Sequence, residues 1–188
     1  MTFYIDMDGV VARYDRSAYI GDTPMYRNKT LNYFRDLPPD PKMIAVVNKL
    51  LELKQNVVMF TSVDNVGSYA LVMIHDKIEW LHKNIPNLNT DEQFLASLSS
   101  KRSIAEAIKF NSSHTHINGQ VLSIDDILID DWNNNLNDWH DAGGTAIKYN
   151  NGINDPESFD GINLDIVMTA DDIVELLTKH INYIRKET

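Results

Sequence analysis

The sequence predicts an α/β fold on a mostly parallel sheet, a Rossmann-like three-layer sandwich, and three observations predict it. Short apolar runs alternate with segments of helical period, and each major run is followed by such a segment. With 43% apolar and 23% charged residues, the chain has the composition of an ordinary globular protein. At 188 residues it is long enough to bury one core, so 1–188 reads as a single domain. Parallel strands need crossover helices, and those helices cover both faces of the sheet.

Residues 3–5 form the first buried strand. Residues 13–40 then break the rhythm: they carry Tyr14, Tyr19, Tyr26, Tyr33 and Phe34, and close on Leu37-Pro38-Pro39-Asp40-Pro41 without a strand period. They read as a small cap inserted over the sheet edge. Residues 41–54 put Met43, Val46, Val47, Leu50 and Leu51 on one helical face. Residues 57–60 are a strand, and 65–83 a helix with Val66, Tyr69, Met73 and Leu81, stopping before Pro86. A weaker strand at 93–96 precedes a short helix at 101–109. Residues 127–129 are a strand, and the helix 132–142 ends at Gly143-Gly144, a C-cap signal. The strand 145–149 leads into a loop over 150–168 with one last short extended segment. Thr169 then opens a C-terminal helix with Asp172 completing a capping box.

Composition narrows the chemistry. The absence of Cys excludes a disulfide scaffold, a thiolate metal site and a thiol nucleophile. No apolar run approaches the roughly 18 residues of a membrane span, and the opening residues lack a signal-peptide pattern, so a cytoplasmic protein is expected. A formal charge of −10 opposes binding to polymeric nucleic acid. It would equally repel a small phosphate ester, unless a metal ion or local cations offset it.

Four places carry candidate chemistry. Asp6-Met7-Asp8-Gly9 follows the first strand, and ligands of open parallel sheets bind at the strands' carboxyl ends. A carboxylate there can attack phosphorus, and a second one two residues on can act as general acid and base. The Asp-Gly pattern is no EF-hand loop, whose Gly stands sixth rather than fourth. Thr61-Ser62 ends the second major run, where a hydroxyl and turn amides can bind phosphoryl oxygens or simply cap a helix. Asp130-Asp131 is the one Asp pair at a strand's carboxyl end: Asp125-Asp126 precedes its strand, and Asp171-Asp172 lies in the first turn of the last helix. Lys101, followed by Arg102, opens a short helix and offers a fixed positive charge. His114-x-His116 lacks companions at ligand spacing and reads as loop histidines; Trp132 and Trp139 read as packing. Tyr14, Tyr33 and Phe34 either stack on a substrate base or form the cap's own small core.

Taken in order, DMDGVVA, FTS, the Lys101 region and ILIDDWNNNLNDWHDAGG resemble the four motifs of the haloacid dehalogenase-like phosphohydrolases over roughly residues 1–150. The DMDGV opening, Tyr33-Phe34-Arg35-Asp36-Leu37-Pro38 and IDD at the fourth motif look most like the 5'(3')-deoxyribonucleotidases and their bacterial and phage relatives. The resemblance implies Asp6 as nucleophile, Asp8 as general acid and base, and Thr61, Ser62 and Lys101 as phosphate ligands. It implies Mg²⁺ held by Asp130, the Asp6 carboxylate and the Asp8 backbone carbonyl, with Gly9 and Asp131 in support. The expected activity is hydrolysis of nucleoside monophosphates through an aspartyl-phosphate. A sugar phosphate requires no change of motif, and a nucleic-acid end phosphatase would require a basic groove. A non-enzymatic binding module would normally lack one of the carboxylates, and none is missing here.

Overall fold

The computed structural model describes residues 1–14, 32–63, 68–98, 101–110, 114–117, 120–123, 125–154 and 157–187. A six-stranded sheet organises the chain, in the order β3-β2-β1-β6-β7-β8. Its strands are β1 (Phe3–Ile5), β2 (Val57–Ser62), β3 (Phe94–Ser97), β6 (Ile127–Asp130), β7 (Thr145–Tyr149) and β8 (Ile162–Leu164). Every pairing within it is parallel. The expected α/β sandwich is therefore the fold.

Side-chain alternation along the strands builds one core on each face. Phe3, Ile5, Val57, Met59, Ile127, Ile129, Ile147 and Tyr149 point to one side. There they meet α1 (Pro41–Glu52), the C-terminal half of α2 (Ser68–Asn84) and α6 (Ala170–Glu187). Tyr4, Val58, Phe60, Leu95, Leu128 and Ala146 point to the other, against α4 (Lys101–Phe110) and α5 (Asn133–Asp141). Burial of both faces explains why these strands are apolar runs rather than alternating ones.

Caps set the helix boundaries. Asp40 Oδ1 accepts from the amides of Lys42 and Met43 at 3.0 and 3.1 Å, with Pro41 in the first turn. Thr169 and Asp172 exchange the reciprocal bonds of the expected capping box, at 2.9 and 3.2 Å. α1 ends at Glu52, two residues short of the expected 54, because Lys54 turns left-handed with φ 56°. β2 runs on to Ser62 and β6 to Asp130, so Thr61, Ser62 and Asp130 are strand residues. Trp132 stands at the N-cap of α5 rather than inside it.

Three elements were not expected. Thr90–Gln93 form a single helical turn, α3, capped by Asn89. The stretch read as a loop around His114 and His116 is an antiparallel ribbon of β4 (His114–Ile117) and β5 (Gln120–Ser123). Its polar composition hid the strand period, although Asn118-Gly119 between two short runs is a hairpin signal.

Of the segment expected as a cap, residues 13–14 and 32–40 are described, while Tyr19 and Tyr26 lie outside the described residues. The two ends are pinned together: Arg13 N donates to Pro38 O and Asp40 N to Val11 O, each at 2.8 Å. Trp80, fully buried on α2, donates its indole N–H to Leu37 O at 2.7 Å. Trp80→Ala empties a core position and strands that carbonyl, so it should cost about 3–5 kcal/mol. Urea denaturation with an unchanged m-value is the measurement; a loss below about 1 kcal/mol would show that the site collapses without consequence.

Candidate active site

The carboxyl ends of β2, β1 and β6, neighbours at the middle of the sheet, bring Thr61, Asp6 and Asp130 side by side. Asp6 follows β1 directly, its amide bonded to Ile129 O at 2.9 Å, so its position is fixed by the sheet ladder itself. Asp130 accepts on Oδ1 from the amide of Trp132 at 2.9 Å and on Oδ2 from Asn135 Nδ2 at 3.0 Å, which ties the strand end to the start of α5. Asp6, Asp130 and Asp131 are all buried, and one oxygen from each lies within 4.8 Å of the others.

Lys101, at the start of α4, reaches this cluster past the Phe60 ring of β2, whose centre is 5.2 Å from its Nζ. Its Nζ lies 2.8 Å from Asp6 Oδ1 and 2.5 Å from Asp130 Oδ2. Burial opposes the Lys101 charge, but Asp130 and Asp6 outweigh it and hold the ammonium firmly protonated. One cation among several carboxylates leaves an excess of negative charge. Burial, then the charges of Asp130, Asp8 and Asp131, raise Asp6 to about 8 against the opposing pull of Lys101. Burial and Asp130 likewise raise Asp131, to about 7. Such a donor set, all hard oxygen and short of positive charge, fits a divalent cation such as Mg²⁺. The side chain of Arg102 lies outside what is described.

Gly9 makes the approach of Asp131 possible. The loop after Asp6 folds back so that the amides of Val11 and Ala12 bond Met7 O at 3.1 and 2.8 Å, and this turn gives Gly9 a φ of 90°. A Cβ at Gly9 would fall 2.0 Å from Asp131 Oδ2, a clash with a side chain that is itself held. The Gly in the Asp-Gly pair thus serves both the turn and the close contact.

On the opposite flank, Lys77 of α2 organises Asp8 and Thr61. Its buried ammonium lies 2.6 Å from Asp8 Oδ2 and 2.9 Å from Thr61 Oγ1, and 4.5 Å from the centre of the Phe34 ring. Asp8 Oδ1 is buried with no hydrogen-bond partner among the described residues. Sequence reading missed Lys77. The available signal was its place on the apolar stripe of α2, at helical spacing from Met73 and Leu81, where a solvated lysine would not stand. Ser62, next to Thr61, is exposed and joins none of these contacts.

The aromatics gather beside Lys77. Tyr14 and Phe34 stack at 6.2 Å, Tyr33 meets Phe34 edge-on at 5.2 Å, and with Val63 and Met73 they form a small core of their own. Tyr14 and Phe34 are buried and engaged; Tyr33 is half-buried. Other residues singled out lie away from the site: Asp126 binds the amides of Thr2 and Ser123, and Trp139 packs under β1.

The excess negative charge has a pH signature. In the metal-free protein Asp6 and Asp131 hold protons more tightly folded than unfolded, so their contribution to stability is fully present below about pH 4 and is lost as pH rises toward 7 and 8. Asp131→Asn stays neutral and keeps an oxygen to accept hydrogen bonds. Thermal melts in chelator should show it more stable than wild type at pH 8, with the two converging near pH 4; parallel curves would remove Asp131 as a source of strain.

No helix among the described residues is long and apolar enough to cross a membrane. No family model matches the chain, and no curated protein matches it. Solved structures do. One is the D,D-heptose 1.7-bisphosphate phosphatase from B. bronchiseptica, complexed with magnesium and phosphate: 14% identity, TM-score 0.56, covering 96% of this chain and 99% of that one. Another is a hydrolase from Pseudomonas syringae, with 12% identity and a TM-score of 0.53, covering 95% of this chain and 99% of that one. At such identities the likeness is one of fold.

Proposed function

We propose that the chain is a Mg²⁺-dependent phosphomonoesterase acting through an aspartyl-phosphate on Asp6. The observation that carries this reading is the convergence at three adjacent strand ends of a buried carboxylate paired with Lys101, a second carboxylate with an unpartnered oxygen, and a hydroxyl held by Lys77. Fold neighbours that include a magnesium- and phosphate-bound phosphatase support it.

Asp6, Asp130 and Asp131 would hold the cation, with the Asp8 carbonyl a further oxygen by resemblance. The ion supplies positive charge that favours ionised Asp6 and offsets the charge of the phosphoryl group. Lys101 and Thr61 bind and orient the remaining phosphoryl oxygens, with Ser62 at the rim. An Asp6 oxygen attacks phosphorus as the bond to the leaving oxygen breaks, and Asp8, through Oδ1, gives that oxygen a proton. A water then attacks the same phosphorus, Asp8 recovers a proton from it, the Asp6–phosphorus bond breaks, and inorganic phosphate departs.

A small phosphate ester is the substrate, and a nucleoside monophosphate is the proposed class, supported by the resemblance of the opening and fourth motifs and by Tyr33 beside the site. The burial of Tyr14 and Phe34 favours a second reading, a sugar phosphate, because it leaves less aromatic surface for a base. A basic groove is not favoured by the charge of −10, which keeps a nucleic-acid end substrate behind both.

Asp6→Asn should reduce turnover by about 10³-fold or more with the fold retained by circular dichroism; near-normal turnover would end the covalent reading. A panel of deoxynucleotides, ribonucleotides and sugar phosphates, with and without Mg²⁺, should release phosphate only with metal and fastest from nucleotides. Tyr33→Ala should then weaken nucleotide turnover by about 1–3 kcal/mol while sparing a generic ester, the scale of base–aromatic stacking. Lys77→Met should lower kcat more on an alkyl phosphate than on an aryl phosphate with an acidic phenol, since only the poorer leaving group needs the Asp8 proton. Equal losses would make Lys77 a phosphate ligand instead.

A further inference from the structure

The loop after β7 carries two asparagines that belong to no motif read from the sequence, yet both are buried against the carboxylate cluster. Asn151 Nδ2 donates to Gly9 O at 2.6 Å and to Asp131 Oδ2 at 2.9 Å. Asn154 Nδ2 donates to Tyr14 O at 2.7 Å and to the same Asp131 Oδ2 at 2.8 Å. Asn151 Oδ1 accepts in turn from the amides of Ile153 and Asn154, at 2.7 and 2.9 Å, so the loop is folded around its own side chain.

We infer that Asn151 and Asn154 are positioning residues for the divalent cation, acting through Asp131. This rests on the metal-dependent reading above and names the groups that orient one of its carboxylates. Two donors on one oxygen fix the carboxylate plane and leave Oδ1 for a cation. The donors are neutral amides, so they orient Asp131 without cancelling its charge, unlike Lys101 beside Asp6 and Asp130. Their second bonds reach Gly9 O and Tyr14 O, which couples the same carboxylate to the turn after the nucleophile and to the residue entering the 13–40 segment. The lack of room at Gly9 closes the remaining side of Asp131, whose Oδ2 would lie 2.0 Å from a Cβ there.

The test is Mn²⁺ binding to the substrate-free protein, read by the electron paramagnetic resonance of free Mn²⁺ as a stand-in for Mg²⁺. Asn154→Ala should weaken binding about tenfold or more, as for other groups that orient a metal ligand. In the Asp131→Asn background the same substitution should add no further weakening, because its effect passes through Asp131. Unchanged affinity in folded Asn154→Ala, with only a lower melting temperature, would overturn the inference, as would a full additional loss in the Asp131→Asn background. If Asn154→Ala does not fold, Asn154→Ser is titrated against the same two criteria. A wild-type protein that binds no Mn²⁺ would overturn the metal reading and this one together; normal wild-type binding with an unaffected variant overturns this one alone.

Discussion

Three carboxylates and one ammonium buried at the ends of β1 and β6 are the constraint on which the rest of the structure depends. Like charges so close are costly out of water: burial first, and then the neighbouring carboxylates, raise the affinity of Asp6 and Asp131 for protons. The surrounding fold confines the repulsion instead of relieving it. The sheet ladder holds Asp6, the amide of Trp132 and Asn135 hold Asp130, two further asparagines hold Asp131, and Lys101 is the counter-ion among them. A centre held in this way has a standing deficit of positive charge, which suits a divalent cation bound by hard oxygens.

The geometry divides labour between the two flanks of β1. On the β6 side stand the carboxylates suited to metal, with the neutral amides behind them. On the β2 side Lys77 bridges Asp8 and Thr61 and rests on Phe34, so a residue from the segment after β1 touches the group that holds Asp8. The aromatic cluster therefore has a role even where it does not meet substrate: it seals Lys77 from water and so strengthens its pull on Asp8. The pinned ends of the 13–40 segment and the bond from Trp80 to Leu37 O set where that cluster stands relative to β1 and β2.

Much of this was legible in the chain. Apolar runs buried on both faces announce a parallel sheet, and Asp40, Thr169 and the paired Gly143-Gly144 mark helix ends through local chemistry that acts over a few residues. Asp6, Thr61 and Asp130 could be singled out because a strand followed by a helix puts its last residues at the sheet's carboxyl edge, whatever the neighbours. The β4–β5 ribbon was missed because a short hairpin rich in polar residues, with Leu122 its one residue in the described core, has little hydrophobic period to read.

What only the tertiary structure decided are the partnerships across long sequence separations. Lys77 reaches Asp8 from 69 residues away, and Asn151 and Asn154 reach Asp131, Gly9 and Tyr14 across as many as 142. Nothing local distinguishes a lysine on a helix or an asparagine in a loop, since each is ordinarily solvated. Their roles come from strand order, which puts β7 beside β6 and β2 beside β1 and carries α2 back over the sheet. The sequence by itself determined which residues can do chemistry and at which strand ends they stand. The tertiary structure decided which buried groups hold them there, because burial turns a common polar side chain into a fixed partner only when two distant segments close over it.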